Sequence, residues 1–144
     1  MATAFVSNSI EGQVSALVAG TALSMFFDQF EGFEVIVHPV NQSGASSNEI
    51  ADIDIKQNGK IFEAIEVKDK QFSEQDVDHA AFKVSQYGLK SITFIRGING
   101  TCIGSTLEQV AKNVLQARNV NVIFVDLDSF FRSVIALCPD LTFT

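Results

Sequence analysis

Apolar and small residues recur at helical intervals through "SIEGQVSALVAGTALSMFF", and Asn8 followed by Glu11 has capping-box spacing, so a first helix is expected over about residues 9 to 27. The many Ala, Gly and Ser positions in it suit close packing against a sheet. The pattern then turns β-branched: "FEVIVHPV" (33 to 40) reads as a strand ended near Pro39, and the polar "NQSGASSNE" (41 to 49) as a loop. Two strands follow at about 51 to 57 and 61 to 68, joined at Asn58-Gly59, a hairpin-turn signal. Ser73, with Asp76 three residues on, opens a second helix that stops at Gly88. "KSITFIRG" (90 to 97) is a strand, Ser105 or Thr106 starts a third helix, and "VNVIFVDL" is the most apolar strand in the chain. Asp128 or Ser129 then caps a last helix, "FFRSVIALC", ended by Pro139. The order αβββαβαβα, without internal repeat or long linker, predicts one α/β domain (mixed α+β) over residues 1 to 144, its mixed sheet covered by helices on both faces.

Charges interrupt this pattern in one place. In "ADIDIKQNGKIFEAIEVKDK" (51 to 70), strand alternation puts Asp52 and Asp54 on one face and Ile53 and Ile55 on the other, while Glu66 and Lys68 share a face opposite Ile65 and Val67. A solvated hairpin face is the bland explanation. The alternative depends on register. A plain two-residue turn would set Asp52 opposite Ile65, whereas a three-residue loop or a bulge in either strand shifts the pairing by one and sets Asp52 opposite Glu66. The shifted register is the expectation. Two facing carboxylates repel unless a cation lies between them, and an all-oxygen donor set selects Mg²⁺ or Mn²⁺ over zinc. With Lys68 beside them, the set suits metal-assisted phosphodiester hydrolysis, the lysine holding a water or offsetting developing negative charge.

Composition changes this picture little. A chain that is 47% apolar, with thirteen Phe, has ample core material, and no apolar run reaches the roughly 18 residues of a membrane span. It reads as soluble and untargeted. Cys102 and Cys138 lie in apolar stretches with no partner at metal-ligand spacing, which favours buried free thiols. The net charge of -7 argues against a generic polyanion binder, yet residues 56 to 96 hold seven of the ten basic residues, so a local DNA-facing groove stays open.

Asp52, a fourteen-residue interval and "Glu66-Val67-Lys68", set within α-β-β-β-α-β, resemble the PD-(D/E)XK nuclease superfamily, with Ala51 where the motif often has Pro. More narrowly, "HPVNQSGASSNEIADIDI", "AIEVKDKQFS" and "LDSFFRSV" are similar to the C-terminal nuclease region of SacI-type type II restriction endonucleases, over about residues 37 to 132. The resemblance implies a restriction-endonuclease-like fold: an αβββαβ core over about 9 to 97, an α-β-α extension over 105 to 138 and a five-stranded mixed sheet flanked by helices. It also implies a Mg²⁺- or Mn²⁺-dependent endonuclease that cuts double-stranded DNA, in a bacterial or phage-associated cytoplasmic setting. Asp52, Glu66 and Lys68 carry over as catalytic residues, with Asp52, Glu66 and the Val67 backbone carbonyl as metal ligands. An acid on the first helix often completes such sites, which makes Glu11 a further candidate ligand; its alternative role is that of N3 partner to an Asn8 cap. SacI-type enzymes are considerably longer than these 144 residues. The exonuclease branch needs Gln and Tyr four apart on a helix, whereas Gln86 and Tyr87 are adjacent.

Outside the motif, Lys70 and His79 are candidate DNA-backbone contacts, and Asn41 and Gln42 candidate base contacts, since both amides can bond adenine bidentately. A solvated lysine, a surface histidine and an ordinary polar loop are the competing readings. Asp54 could reach an ion through water or simply face solvent, and His38 has a weaker claim still. A duplex cut needs two sites, hence a homodimer. Two other readings compete: a structure-specific nuclease of junction-resolvase type, and a non-catalytic DNA- or partner-binding module on the same fold.

Overall fold

Eleven elements form among the described residues of a computed structural model, which comprise 11–38 and 49–138, the first three by backbone alone. In chain order they are α1 (Glu11–Phe27), β1 (Phe33–Val37), β2 (Ile53–Gln57), β3 (Lys60–Lys68), β4 (Phe72–Ser73), α2 (Glu74–Gln86), β5 (Ser91–Arg96), β6 (Cys102–Ile103), α3 (Leu107–Arg118), β7 (Asn121–Asp126) and α4 (Leu127–Ala136). Five strands make one mixed sheet in the order β1-β2-β3-β5-β7, antiparallel from β1 to β3 and parallel from β3 to β7. Parallel neighbours need long crossovers, and α2 and α3 supply them. The expected mixed five-stranded sheet flanked by helices, a restriction-endonuclease-like fold, is what forms. The two-residue strands β4 and β6 make a separate parallel pair, Phe72 with Cys102 and Ser73 with Ile103, too short for any periodic signal to have announced it.

Strand alternation divides the core into two layers. Ile53, Ile55, Ile65, Val67 and Ile95 pack with Ala16, Ala19, Leu23 and Phe27 of α1. Ala64, Ile92 and Phe94 pack on the other face against Val77, Ala80, Ala81 and Val84 of α2 and Val110 and Val114 of α3. The small residues of α1 are used for close approach: a Cβ on Gly20 would run into the Val37 side chain of β1. Helices α2 and α3 are joined by Arg118, whose Nε and Nη2 donate to the two Asp78 oxygens at 2.9 and 2.8 Å. Its guanidinium also lies 4.9 Å from the centre of the Phe82 ring. No helix among the described residues is long and apolar enough to cross a membrane.

One helix boundary differs from expectation. Ser73 caps α2 with the full reciprocal box to Asp76, and Thr106 caps α3, both as the sequence predicts. The last helix, however, is capped by Asp126 and not by Asp128 or Ser129, because β7 runs straight into it and Asp126 accepts from the Ser129 N–H at 3.2 Å and its Oγ–H at 2.7 Å. Asp128 pairs instead with Arg132 one turn on, at 3.2 Å. Cys138 is buried as expected, whereas Cys102, on β6, is only partly so.

The hairpin register takes the shifted form by the second of the two expected routes. Asn58 and Gly59 both have positive φ, 51° and 82°, and make a plain two-residue turn that pairs Gln57 with Lys60 and Lys56 with Ile61. The next pair is Ile55 with Glu63, so Phe62 is the extra residue of a bulge. Its cause is aromatic. Phe62 turns its ring to the α1 face, with centroids 5.2 Å from Phe33 and 6.1 Å from Phe27, while Ile61 and Ala64 keep to the opposite face. Beyond the bulge Asp54 pairs with Ala64 and Ile53 with Ile65, and one further step carries Asp52 to Glu66.

Candidate active site

Asp52 lies one residue before β2, on the sheet face covered by α2 and α3, and its carboxylate reaches across to β3. Oδ2 accepts the Val67 N–H at 2.8 Å. Glu66, on the same face as Asp52, has a side chain only 16% exposed. Burial first, and then the Asp52 charge and a hydrogen bond to Asp52, push the Glu66 carboxyl well above the usual carboxylate range, with the Lys68 and Lys83 charges pulling the other way. Lys68 Nζ stands 4.0 Å from Glu66 Oε2 and is 28% exposed, so it bridges the buried acids and solvent. The bulge thus brings Asp52, Glu66 and Lys68 together.

A cleft of about 390 Å³ opens onto this group, lined by Glu66, Lys68, Gln75, Asp76, His79, Ala80 and Lys83. Gln75, His79 and Lys83 are spaced by four along α2, which places them on one helix face above the acids. His79 was legible as a candidate, but Gln75 and Lys83 were not singled out. The signal that would have found them is their spacing of four from His79. Asp76 is already engaged, its Oδ2 accepting from Ser73 N–H and Oγ–H at 2.9 and 3.2 Å.

The remaining candidates separate from this group. Lys70 is exposed and does not line the cleft. Glu11 opens α1, but its side chain lies outside what is described; Asn8, Asn41 and Gln42 fall outside the described residues altogether. Asp54 corrects the expectation most clearly. It does not face solvent, being fully buried with both oxygens bonded, Oδ1 to the Ala51 N–H at 2.9 Å and Oδ2 to the Ile50 N–H at 3.0 Å and to His38 Nε2 at 2.8 Å. Among the described residues no three His, Cys, Asp or Glu side chains converge as a metal-ligating cluster. Asp52 and Glu66 bring their carboxylates to this face and, since N–H and C=O of one strand residue point the same way, the Val67 carbonyl lies on the Asp52 side of β3.

Lys68 is fixed from behind by the β5–β6 loop. Its carbonyl accepts the Gly97 N–H at 2.9 Å, Arg96 Nη1 donates to the Gly100 carbonyl at 3.2 Å, and a Cβ on Gly100 would run into the Lys68 carbonyl oxygen. Gly100→Ala must push the loop off β3, an overpacking cost of about 1–3 kcal/mol. Urea melts of the variant should show that loss as a lower midpoint, and an unchanged midpoint would refute the contact.

Residues 1–98 match the family model of the SacI restriction endonuclease C-terminal domain. Among curated proteins, none matches the chain. The matched span runs from before α1 to just past β5, and so contains the whole Asp52–Glu66–Lys68 group and the α2 face above it.

Proposed function

The chain belongs to the SacI restriction endonuclease C-terminal domain family, and on that premise we propose that it is a Mg²⁺- or Mn²⁺-dependent endonuclease of PD-(D/E)XK type, hydrolysing phosphodiester bonds of double-stranded DNA. The family gives it a nuclease-related role and an interaction with DNA. The observation that carries the finer reading is the Phe62 bulge, which sets Asp52 opposite Glu66 with Lys68 4.0 Å from the second acid.

The donor set fits a hard divalent cation: burial and the facing Asp52 charge raise the Glu66 carboxyl, a cost that a cation between the two acids offsets, and Mg²⁺ is commonly held by one or two carboxylates while keeping several waters. Asp52, Glu66 and the Val67 carbonyl would hold it, and when bound it supplies Lewis-acid polarisation of a phosphate oxygen and a more acidic water. The protein's own groups do the rest. Lys68, at the rim, hydrogen-bonds the attacking water and offsets negative charge developing on the phosphate oxygens as the P–O bond to the leaving group breaks. The N–H of Val67 holds Asp52 in place through that change. Gln75, His79 and Lys83 on α2 face the same cleft and bond the DNA backbone, which orients the strand without reading its sequence. The function is exercised as a homodimer, since a duplex cut needs two sites, in a bacterial or phage-associated cytoplasm.

The experiment is cleavage of supercoiled plasmid and of branched DNA by the full chain, with Mg²⁺, Mn²⁺ or EDTA. Discrete plasmid fragments that need the metal support the restriction-type reading. Cutting confined to branched DNA would make the protein a structure-specific nuclease, and binding without cutting under any metal a non-catalytic module. With a net charge of -7, non-specific affinity should be weak, its salt dependence set by the few cationic side chains that meet phosphates. Lys83→Ala should lower the slope of log affinity against log salt by about 1, as one lost phosphate contact does. An unchanged slope in filter binding removes Lys83 from the interface.

A further inference from the structure

Asp52, just before β2, and Asp54, on it, are two residues apart and share a face, yet they have opposite surroundings. Asp54 has no exposed surface. Such a carboxylate is tolerated only when its lone pairs are filled, and here three N–H groups converge on it, from Ala51 at 2.9 Å, Ile50 at 3.0 Å and the His38 ring at 2.8 Å. These donors lie on both sides of Asp52. Ile50 and Ala51 lead into it, and His38, just past β1, also gives its backbone N–H to the Asp52 carbonyl at 2.8 Å.

Regular pairing stops one residue short of Asp52. The last ladder partners on that side are Val37 with Ile53 and Ile53 with Ile65, so neither ladder fixes the Asp52 backbone. Three contacts take over: His38 N–H on its carbonyl, Asp54 on the turn before it, and Val67 N–H on its carboxylate. We propose that Asp54 and His38 form a clasp that sets the direction of the Asp52 carboxylate, and that they are positioning residues for the site. Asp52's use of that direction as a ligand rests on the nuclease reading above; the clasp itself does not.

A buried pair that only stabilised the fold would change global stability and nothing else. The clasp instead acts on one reporter, the Val67 amide, which is protected by Asp52 Oδ2 itself. In the 144-residue chain, His38→Ala should speed exchange of the Val67 amide at least tenfold. The amides of Phe94 and Phe124, in the β5–β7 pair beyond β3, should keep their rates. Mn²⁺ affinity, measured by calorimetry without DNA, should fall by about tenfold, and His38→Gln, which keeps a side-chain N–H donor, should recover most of both effects. Asp54→Asn should reproduce the Val67 effect if it folds; His38→Ala leaves the buried carboxylate in place and decides the matter if it does not. Unchanged Val67 exchange overturns the clasp, as does an increase shared equally by Phe94 and Phe124. If the wild-type chain neither binds Mn²⁺ nor cuts DNA, the nuclease reading fails, and Val67 exchange still decides whether the clasp exists.

Discussion

Asp52→Asn and Glu66→Gln should each abolish plasmid cleavage while making the metal-free protein more resistant to heat. The two effects have one cause. Burial of Glu66 first, and then the charge of Asp52 facing it from the start of the hairpin, hold the Glu66 carboxyl well above the ordinary carboxylate range. An amide at either position keeps the shape and removes the repulsion, and the carboxamide oxygen of Asp52→Asn can still accept the Val67 N–H. The thermal midpoint should therefore rise by a few degrees at neutral pH. On the proposed reading a metal ligand is lost at the same stroke, and cleavage should fall by on the order of 10³-fold or more, beyond the 10²–10³ typical of one electrostatic donor. Lys68→Ala belongs to that smaller class, about 10²–10³, and should bring no gain in heat resistance, because it removes a favourable charge beside Glu66. Plasmid assays and thermal melts on the same preparations test both halves. A carboxamide variant that still cuts, or that melts lower than wild type in EDTA, would refute the facing pair as the catalytic centre.

The second large effect is the dependence of stability on pH and metal together. Because the folded-state titration of Glu66 lies above its ordinary value of 4.5, its contribution to stability is complete below that value and is lost as pH rises through the raised folded value. In EDTA, therefore, the thermal midpoint should decline from mildly acidic toward neutral and alkaline pH. A divalent cation held by the pair would need it deprotonated, so its binding would release any proton held there and strengthen with pH. At a hundredfold excess over its dissociation constant it stabilises by about 2.7 kcal/mol. The melting curves with and without Mn²⁺ should nearly coincide at acid pH and separate steadily above it, and in Glu66→Gln the separation should vanish. Parallel curves across the whole range would mean that the pair holds no cation.

The sheet, its helices and the three central residues could be read from the chain because each leaves a periodic or spacing signal. Ile53, Ile55, Ile65 and Val67 alternate, Ser73 and Asp76 have box spacing, and Asp52, Glu66 and Lys68 stand at motif intervals. The register could be framed but not located: the need for one extra residue followed from the facing acids, whereas its position at Phe62 depends on Phe27 and Phe33, which are distant in sequence. The burial of Asp54 was not legible for a similar reason. By alternation alone Asp52 and Asp54 are equivalent, and the arrival of His38 from beside the neighbouring strand is what sets Asp54 apart. Gly100 left no sign either, because what it accommodates is the backbone carbonyl of Lys68, far earlier in the chain.

The bulge at Phe62 also imposes a parity rule on this hairpin. From Asp52 to Glu66 the chain makes a two-residue turn and spends one residue unpaired, so the facing of the acids survives only changes that add or remove residues in twos, one on each strand. A single-residue insertion or deletion between them would turn Glu66 and Lys68 toward the apolar layer beneath α1 and bring Ile65 and Val67 up to the cleft, exchanging the core face and the cleft face. Length variation among functional relatives should therefore avoid odd steps in this hairpin, except where a second single-residue change elsewhere in it cancels the first.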